Sequence, residues 1–151
     1  MISELDILYM REALKEACLA AESDEVPVGA VMVRDGEIIA RSRNSREGDK
    51  NPLSHAEIKL INDTCRALGG WRLTRCTLYV TLEPCPMCAG AIVNSRIERV
   101  VFGAYDDKAG AFGTMLNLTE YPLYKPTVEG GVLKEECASL LTEFFKKKRN
   151  K

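Results

Sequence analysis

Apolar residues recur at offsets of three and four through the first part of the chain, at Ile7, Met10, Leu14, Ala17, Cys18 and Ala21, and predict an amphipathic helix. Ser3, with Asp6 three residues on, reads as its N-cap. Pro27 stops a continuation, and the pattern then changes. Val28 to Val33 is an unbroken run of small and branched residues, which suits a strand covered on both faces. Asp35-Gly36 separates this run from Glu37 to Ser42, so the two predict a hairpin closed by a tight turn with positive backbone angles. Asn44 to Pro52 is polar and reads as a loop. Helical spacing returns at Ile58, Ile61, Cys65 and Leu68 and ends at Gly69-Gly70. Cys76 to Leu82 predicts a third strand and Arg99 to Ala104 a fourth, and the helix between them, about ten residues long, makes the pair parallel. Asp106 to Leu118 reads as a loop with a helical turn, and Val128 to Val132 as a short fifth strand. Leu133, Cys137, Leu140, Leu141 and Phe144 mark the apolar stripe of a last helix. The sum is an α/β fold, a three-layer α/β/α sandwich with a mixed five-stranded sheet, in one domain spanning residues 1–151.

A chain of 151 residues can bury a core without disulfides or a structural metal. It has no leader of basic then apolar residues and no apolar run long enough to span a bilayer, so a soluble, cytoplasmic protein without a membrane partner is expected. In that reducing setting the six cysteines are not a disulfide framework, and Cys18, Cys65, Cys76 and Cys137, on apolar faces, are expected to be buried packing. A net charge of -1 argues mildly against a nucleic-acid binder. Arg41, Arg43 and Arg46 in one stretch, and Lys146, Lys147, Lys148, Arg149 and Lys151 at the end, soften that argument. The terminal run is equally well read as a solvated helix end, placed favourably for the helix dipole.

Two short stretches carry the candidate chemistry, Ser54-His55-Ala56-Glu57 and Leu82-Glu83-Pro84-Cys85-Pro86-Met87-Cys88. His55 is the sole histidine, and Cys85 and Cys88 are separated by two residues. Together they offer three ligands, one short of a tetrahedron, which is how catalytic zinc sites differ from closed structural ones. Both groups fall at predicted helix starts, where free N–H groups and the dipole favour thiolate and anion. Pro86 is tolerated there because a helix's first N–H has no partner. Glu57 is the candidate proton carrier, although Ser54 to Glu57 also fits a capping box in which Glu57 would only reach back to a backbone N–H. Cys85-Pro86-Met87-Cys88 alone would serve equally as a thiol redox pair; His55 and Glu57 favour zinc, since a redox pair has no need of them.

The order H-x-E followed by P-C-x-x-C is the known signature of the zinc nucleobase deaminases. The resemblance extends from about Met10 to Lys148, through Val26-Pro27-Val28-Gly29-Ala30-Val31, Asn44, Trp71-Arg72-Leu73, Thr77 to Cys85, Met87-Cys88-Ala89-Gly90-Ala91, Ser95-Arg96-Ile97, Val100 to Ala104 and Phe144-Phe145-Lys146. The chain resembles the bacterial tRNA-specific adenosine deaminases of the cytidine deaminase superfamily. That resemblance implies a cytidine deaminase-like fold, one Zn2+ held by His55, Cys85 and Cys88, and Glu57 as the proton shuttle. It implies hydrolytic conversion of adenosine to inosine at the wobble position of a tRNA anticodon loop, by a homodimer. It also implies substrate contacts from Asn44 (to the ribose), Val28, Ala56, Pro84, Asp106 and Lys108. Each has a plainer reading: Asn44 as a turn residue, Val28 and Pro84 as core and cap, Asp106 and Lys108 as loop polarity. Glu83 is read as structural. Leu53-Ser54, Tyr105, Ala109 and Phe112 depart from the family pattern and touch only fine contacts. A deaminase of free cytosine, guanine or nucleosides with the same zinc site is the alternative, and a thiol oxidoreductase or zinc-bearing interaction module the alternative of another class.

Overall fold

Ser3 and Asp6 form the reciprocal capping box that the sequence suggests, and they start helix α1, Glu4–Glu22. The computed structural model describes residues 2–150. Strands β1 (Gly29–Arg34) and β2 (Glu37–Arg43) follow as an antiparallel hairpin. Asp35 and Gly36 turn it with φ of 52° and 79°, the paired positive angles that match the twist of the flanking strands. A short helix α2 (Arg46–Asp49) and then α3 (Ala56–Leu68) precede β3 (Cys76–Leu82), α4 (Pro86–Asn94) and β4 (Arg99–Ala104). A 3-10 turn at Leu118–Glu120, β5 (Thr127–Glu129) and α5 (Lys134–Arg149) complete the order.

The five strands form one mixed sheet in the order β2-β1-β3-β4-β5. β1 runs antiparallel to β2 and β3, whereas β3, β4 and β5 are mutually parallel. Alternate side chains of the central strands serve two cores. Met32, Leu78, Val80, Val100 and Phe102 pack with Leu60 of α3 and Ile92 of α4 on one face. Val31, Val33, Tyr79 and Val101 pack with Tyr9, Met10 and Ala13 of α1 and Cys137 of α5 on the other. Burial on both faces explains why these strands read as continuous apolar runs. The expected α/β/α sandwich is therefore observed.

The differences are local. α1 buries Met10 and Ala17 as its apolar spacing suggests, but its inward face is shifted: Ile7 and Cys18 are exposed, and the acidic Asp6 and Glu16 are buried. Each acid has a distant partner. Arg99 grips both oxygens of Asp6, at 2.7 and 2.8 Å, and Arg43 donates to Glu16 at 3.0 Å. Cys65 is half-buried, so of the four cysteines expected to be packed only Cys76 and Cys137 are fully so. Within the expected loop from Asn44 to Pro52, α2 forms because the Glu25 carboxylate accepts the N–H groups of Glu47 and Gly48. β5 is shorter than expected and starts one residue earlier.

Candidate metal centre and active site

The parallel strands β3 and β4 end side by side, at Leu82 and Ala104. In open α/β sheets ligands bind outside such carboxyl ends. Here two helices also begin: His55 is the N-cap residue of α3 and Cys85 that of α4. Because the cap of α3 is His55 and not Ser54, and no side-chain cap bond forms, the capping-box reading of Glu57 fails. The place of a side-chain cap is taken by Asn44, whose Oδ1 accepts the Ala56 N–H at 2.8 Å.

The His55 Nδ1 lies 3.7 Å from the Cys85 Sγ and 3.5 Å from the Cys88 Sγ. All three ligand atoms fall within 4.8 Å of one another. A tetrahedral zinc with ordinary bond lengths sets N···S edges of about 3.5–3.6 Å, so both the donor set and its spacing fit one zinc ion. Cys88 is fully buried, while His55 and Cys85 are half-buried and reach a cavity. Hydrogen bonding from Cys88 holds the Cys85 thiol down to about 4, and the same contact with burial pushes Cys88 up. The interaction with Cys85 raises His55.

Glu57 sits in the first turn of α3 and is only 4% exposed. Burial pushes its carboxyl up to about 7, against the opposing pull of its own backbone N–H. A carboxyl near neutrality can both take and return a proton. The cavity, about 600 Å³, is lined by His55, Glu57 and Cys85 together with Val26, Val28, Asn44, Arg46, Tyr105, Asp106, Lys108 and, from α5, Leu141 and Phe145. Of the residues expected at the substrate, Val28, Asn44, Asp106 and Lys108 thus meet at one wall or another. Ala56 and Pro84 do not line it: Ala56 is fully buried against Asn44, and the Pro84 carbonyl accepts the Ala111 N–H at 2.9 Å. The Asp106 Oδ1 is occupied within its own loop, accepting from Lys108 N–H and Ala109 N–H. Arg46 and Phe145 were not expected in this wall. Only the basic or apolar character of each marks it in the sequence, and neither tells where the chain returns to the cavity.

A buried carboxyl beside an imidazole and two thiols, at the open ends of parallel strands in an α/β/α sandwich, defines a hydrolytic deaminase of the cytidine deaminase-like class. Residues 5–149 match the model of the MafB19-like deaminase family. The chain is 55% identical over 148 residues to a tRNA-specific adenosine deaminase of Bacillus subtilis, covering 97% of this chain and 92% of that protein. It is 47% identical to one from Aquifex aeolicus, over 94% and 95% of the two chains. A solved structure from a study of A-to-I editing by tRNA:A34 deaminases at the wobble position of transfer RNA superposes with a TM-score of 0.86. It is 46% identical over 89% of this chain and 99% of that one. The chain belongs to the MafB19-like deaminase family and, within it, to the tRNA-specific adenosine deaminases.

Proposed function

We propose that the protein deaminates adenosine to inosine at the wobble position of a tRNA anticodon loop. The observation that carries this reading is the cavity wall shared by His55, Cys85 and the buried Glu57 carboxyl, with Cys88 buried behind it in the same ligand group, in a chain 55% identical to a tRNA-specific adenosine deaminase. His55, Cys85 and Cys88 would hold one Zn2+, which when bound supplies the Lewis acidity that brings the pKa of a water toward neutrality. Glu57 accepts the proton of the attacking water as oxygen adds to C6, delivers it to the ring nitrogen, and carries the second proton to the departing amino group. Water and adenosine become inosine and ammonia. An anticodon loop offers its base at little unpairing cost.

Asn44, with Oδ1 committed to Ala56, has its NH2 left to donate to a ribose oxygen. Val28 would pack against the base, with Ala56 and Pro84 supporting the wall from behind. Lys108 and Asp106 would lie beside the neighbouring nucleotides. Lys108 also borders a smaller hollow shared with Phe145, Lys148 and Arg149, so the basic end of α5 stands at the cavity mouth. A homodimer would cover the exposed Met115, Leu116, Tyr121 and Leu123 and widen the surface offered to RNA. No helix among the described residues is long and apolar enough to cross a membrane, and a tRNA substrate favours the cytoplasm.

The test offers the zinc-loaded protein an adenosine-bearing anticodon stem-loop beside free adenosine, cytosine and guanine. Inosine should form in the stem-loop, and turnover of free bases alone would defeat the tRNA assignment. Glu57→Ala should retain zinc and lose about 10²–10⁴-fold in turnover. Unchanged deamination would remove Glu57 from the chemistry, and activity that tracks Cys85–Cys88 oxidation in place of zinc content would favour the redox reading.

A further inference from the structure

Glu83 is the second buried carboxylate at the site, 1% exposed, and has no lysine or arginine in ion-pair contact among the described residues. A carboxylate this deep needs its lone pairs filled. They are filled by one segment alone. Oε1 accepts the Asp106 N–H at 3.2 Å and the Thr114 hydroxyl, and Oε2 accepts the N–H groups of Phe112 at 3.1 Å and Thr114 at 3.2 Å. Gly110 crosses directly over the carboxylate: a Cβ there would stand 2.4 Å from Oε1, so no larger residue passes without displacing the loop. The same loop is tied to the strand end by Ala111 N–H to Pro84 O, and it carries Asp106 and Lys108 into the cavity wall.

We propose that Glu83 is a positioning residue for substrate recognition: its carboxylate is the template on which the 106–114 loop folds, and through that loop it sets how the nucleotides flanking the target base are held. This rests on the reading of the substrate as a tRNA loop. Hydrogen bonds from neutral N–H and O–H groups to a charged acceptor are among the stronger ones, and the three N–H groups and one hydroxyl converging here hold the loop in a single shape. The proposal separates the two carboxylates of the site by task. Glu57 moves protons. Glu83 places the wall.

Glu83→Gln tests it, because the amide presents an NH2 where the loop also presents N–H donors. The zinc-loaded variant should keep its metal and its kcat within a few-fold. Its KM for the anticodon stem-loop should rise roughly tenfold to a hundredfold, and its discrimination among stem-loops with altered flanking bases should narrow. Amide exchange should quicken at Phe112 and Thr114 while Val80 and Val101 in the central strands stay protected. Gly110→Ala, which lifts the loop off an intact carboxylate, should show the same KM rise and covers the case in which the Gln variant folds poorly. An unchanged KM in both variants overturns the proposal, as does loss of zinc and kcat together, which would make Glu83 a support of the metal centre. Should the unsubstituted protein fail to act on the stem-loop, the substrate reading fails instead, and the exchange of Phe112 and Thr114 still reports whether Glu83 holds the loop.

Discussion

Asn44 is 8% exposed, and one atom of its side chain is already spent on the Ala56 N–H at the start of α3. Because a backbone N–H can only donate, the amide's orientation is settled, and its NH2 is the part available to a ligand. Substitution can therefore separate the helix-capping task from the substrate task. Asn44→Asp retains the acceptor and removes the donor, so its melting temperature should stay close to the parent's while KM for the stem-loop rises. Asn44→Ala loses both and should also cost about 0.5–2 kcal/mol of stability, as removal of a helix-capping side chain does. Equal KM for Asn44→Asp and the parent, read by steady-state kinetics, would leave Asn44 as a cap alone. The candidate ligand group, whose atoms the fold brings within 4.8 Å of one another, and the candidate proton carrier Glu57 were legible in the sequence because few residue types bind zinc and few can shuttle a proton. Glu83's task was not, since its hydrogen-bonding partners lie 23 to 31 residues downstream.

Strands and helices follow their local patterns wherever those patterns face a core, and depart from them where a charge is answered from far away. β3 and β4 match their expected bounds residue for residue, and the Asp35-Gly36 hairpin closes as its turn chemistry requires. α1 departs from its apolar spacing at Asp6, which is buried against Arg99 and the Tyr79 hydroxyl, the latter at 2.6 Å. Those bonds, Arg99's first, hold the Asp6 carboxyl well below its ordinary 3.8. Its stabilising contribution is therefore fully present above about pH 4 and is lost as pH falls through the folded-state value. Asp6→Ala strips the Arg99 guanidinium of its principal partner, and breaking such a pair costs about 3–5 kcal/mol. Urea unfolding of Asp6→Ala and the parent at pH 7 and pH 3 should show that gap at the higher pH and a smaller one in acid. A pH-independent gap would mean that the loss is of packing and not of charge.

At the scale of the molecule, a chain with a net charge of -1 that acts on a tRNA, as proposed, would have to grip it locally. The fold makes this feasible through basic groups from distant parts of the chain: Arg46 after β2 and Lys108 after β4 line the cavity, and Lys108 also lines an adjoining hollow with Arg149 at the end of α5. Lys148 beside them is already paired with Asp24 at 2.7 Å. If these three cations meet phosphates of a single-stranded loop, the slope of log K against log salt should be near -2, at about -0.7 per phosphate. Fluorescence anisotropy with a labelled anticodon stem-loop from low to physiological salt measures it. A flat response would remove the basic mouth from recognition.

The sequence by itself determined the five strands, the four longer helices, the two-faced sheet, and the candidate groups for holding a metal and moving a proton. All of these rest on short-range regularities: apolar spacing, turn pairs, and ligands two residues apart. Only the tertiary structure decided which acids could be buried, which loop closes the cavity, and which basic residues stand at its mouth. Each of those depends on partners brought together across dozens of residues, and a buried charge or a loop is fixed by the groups that answer it, whose distance along the chain leaves no trace in local pattern.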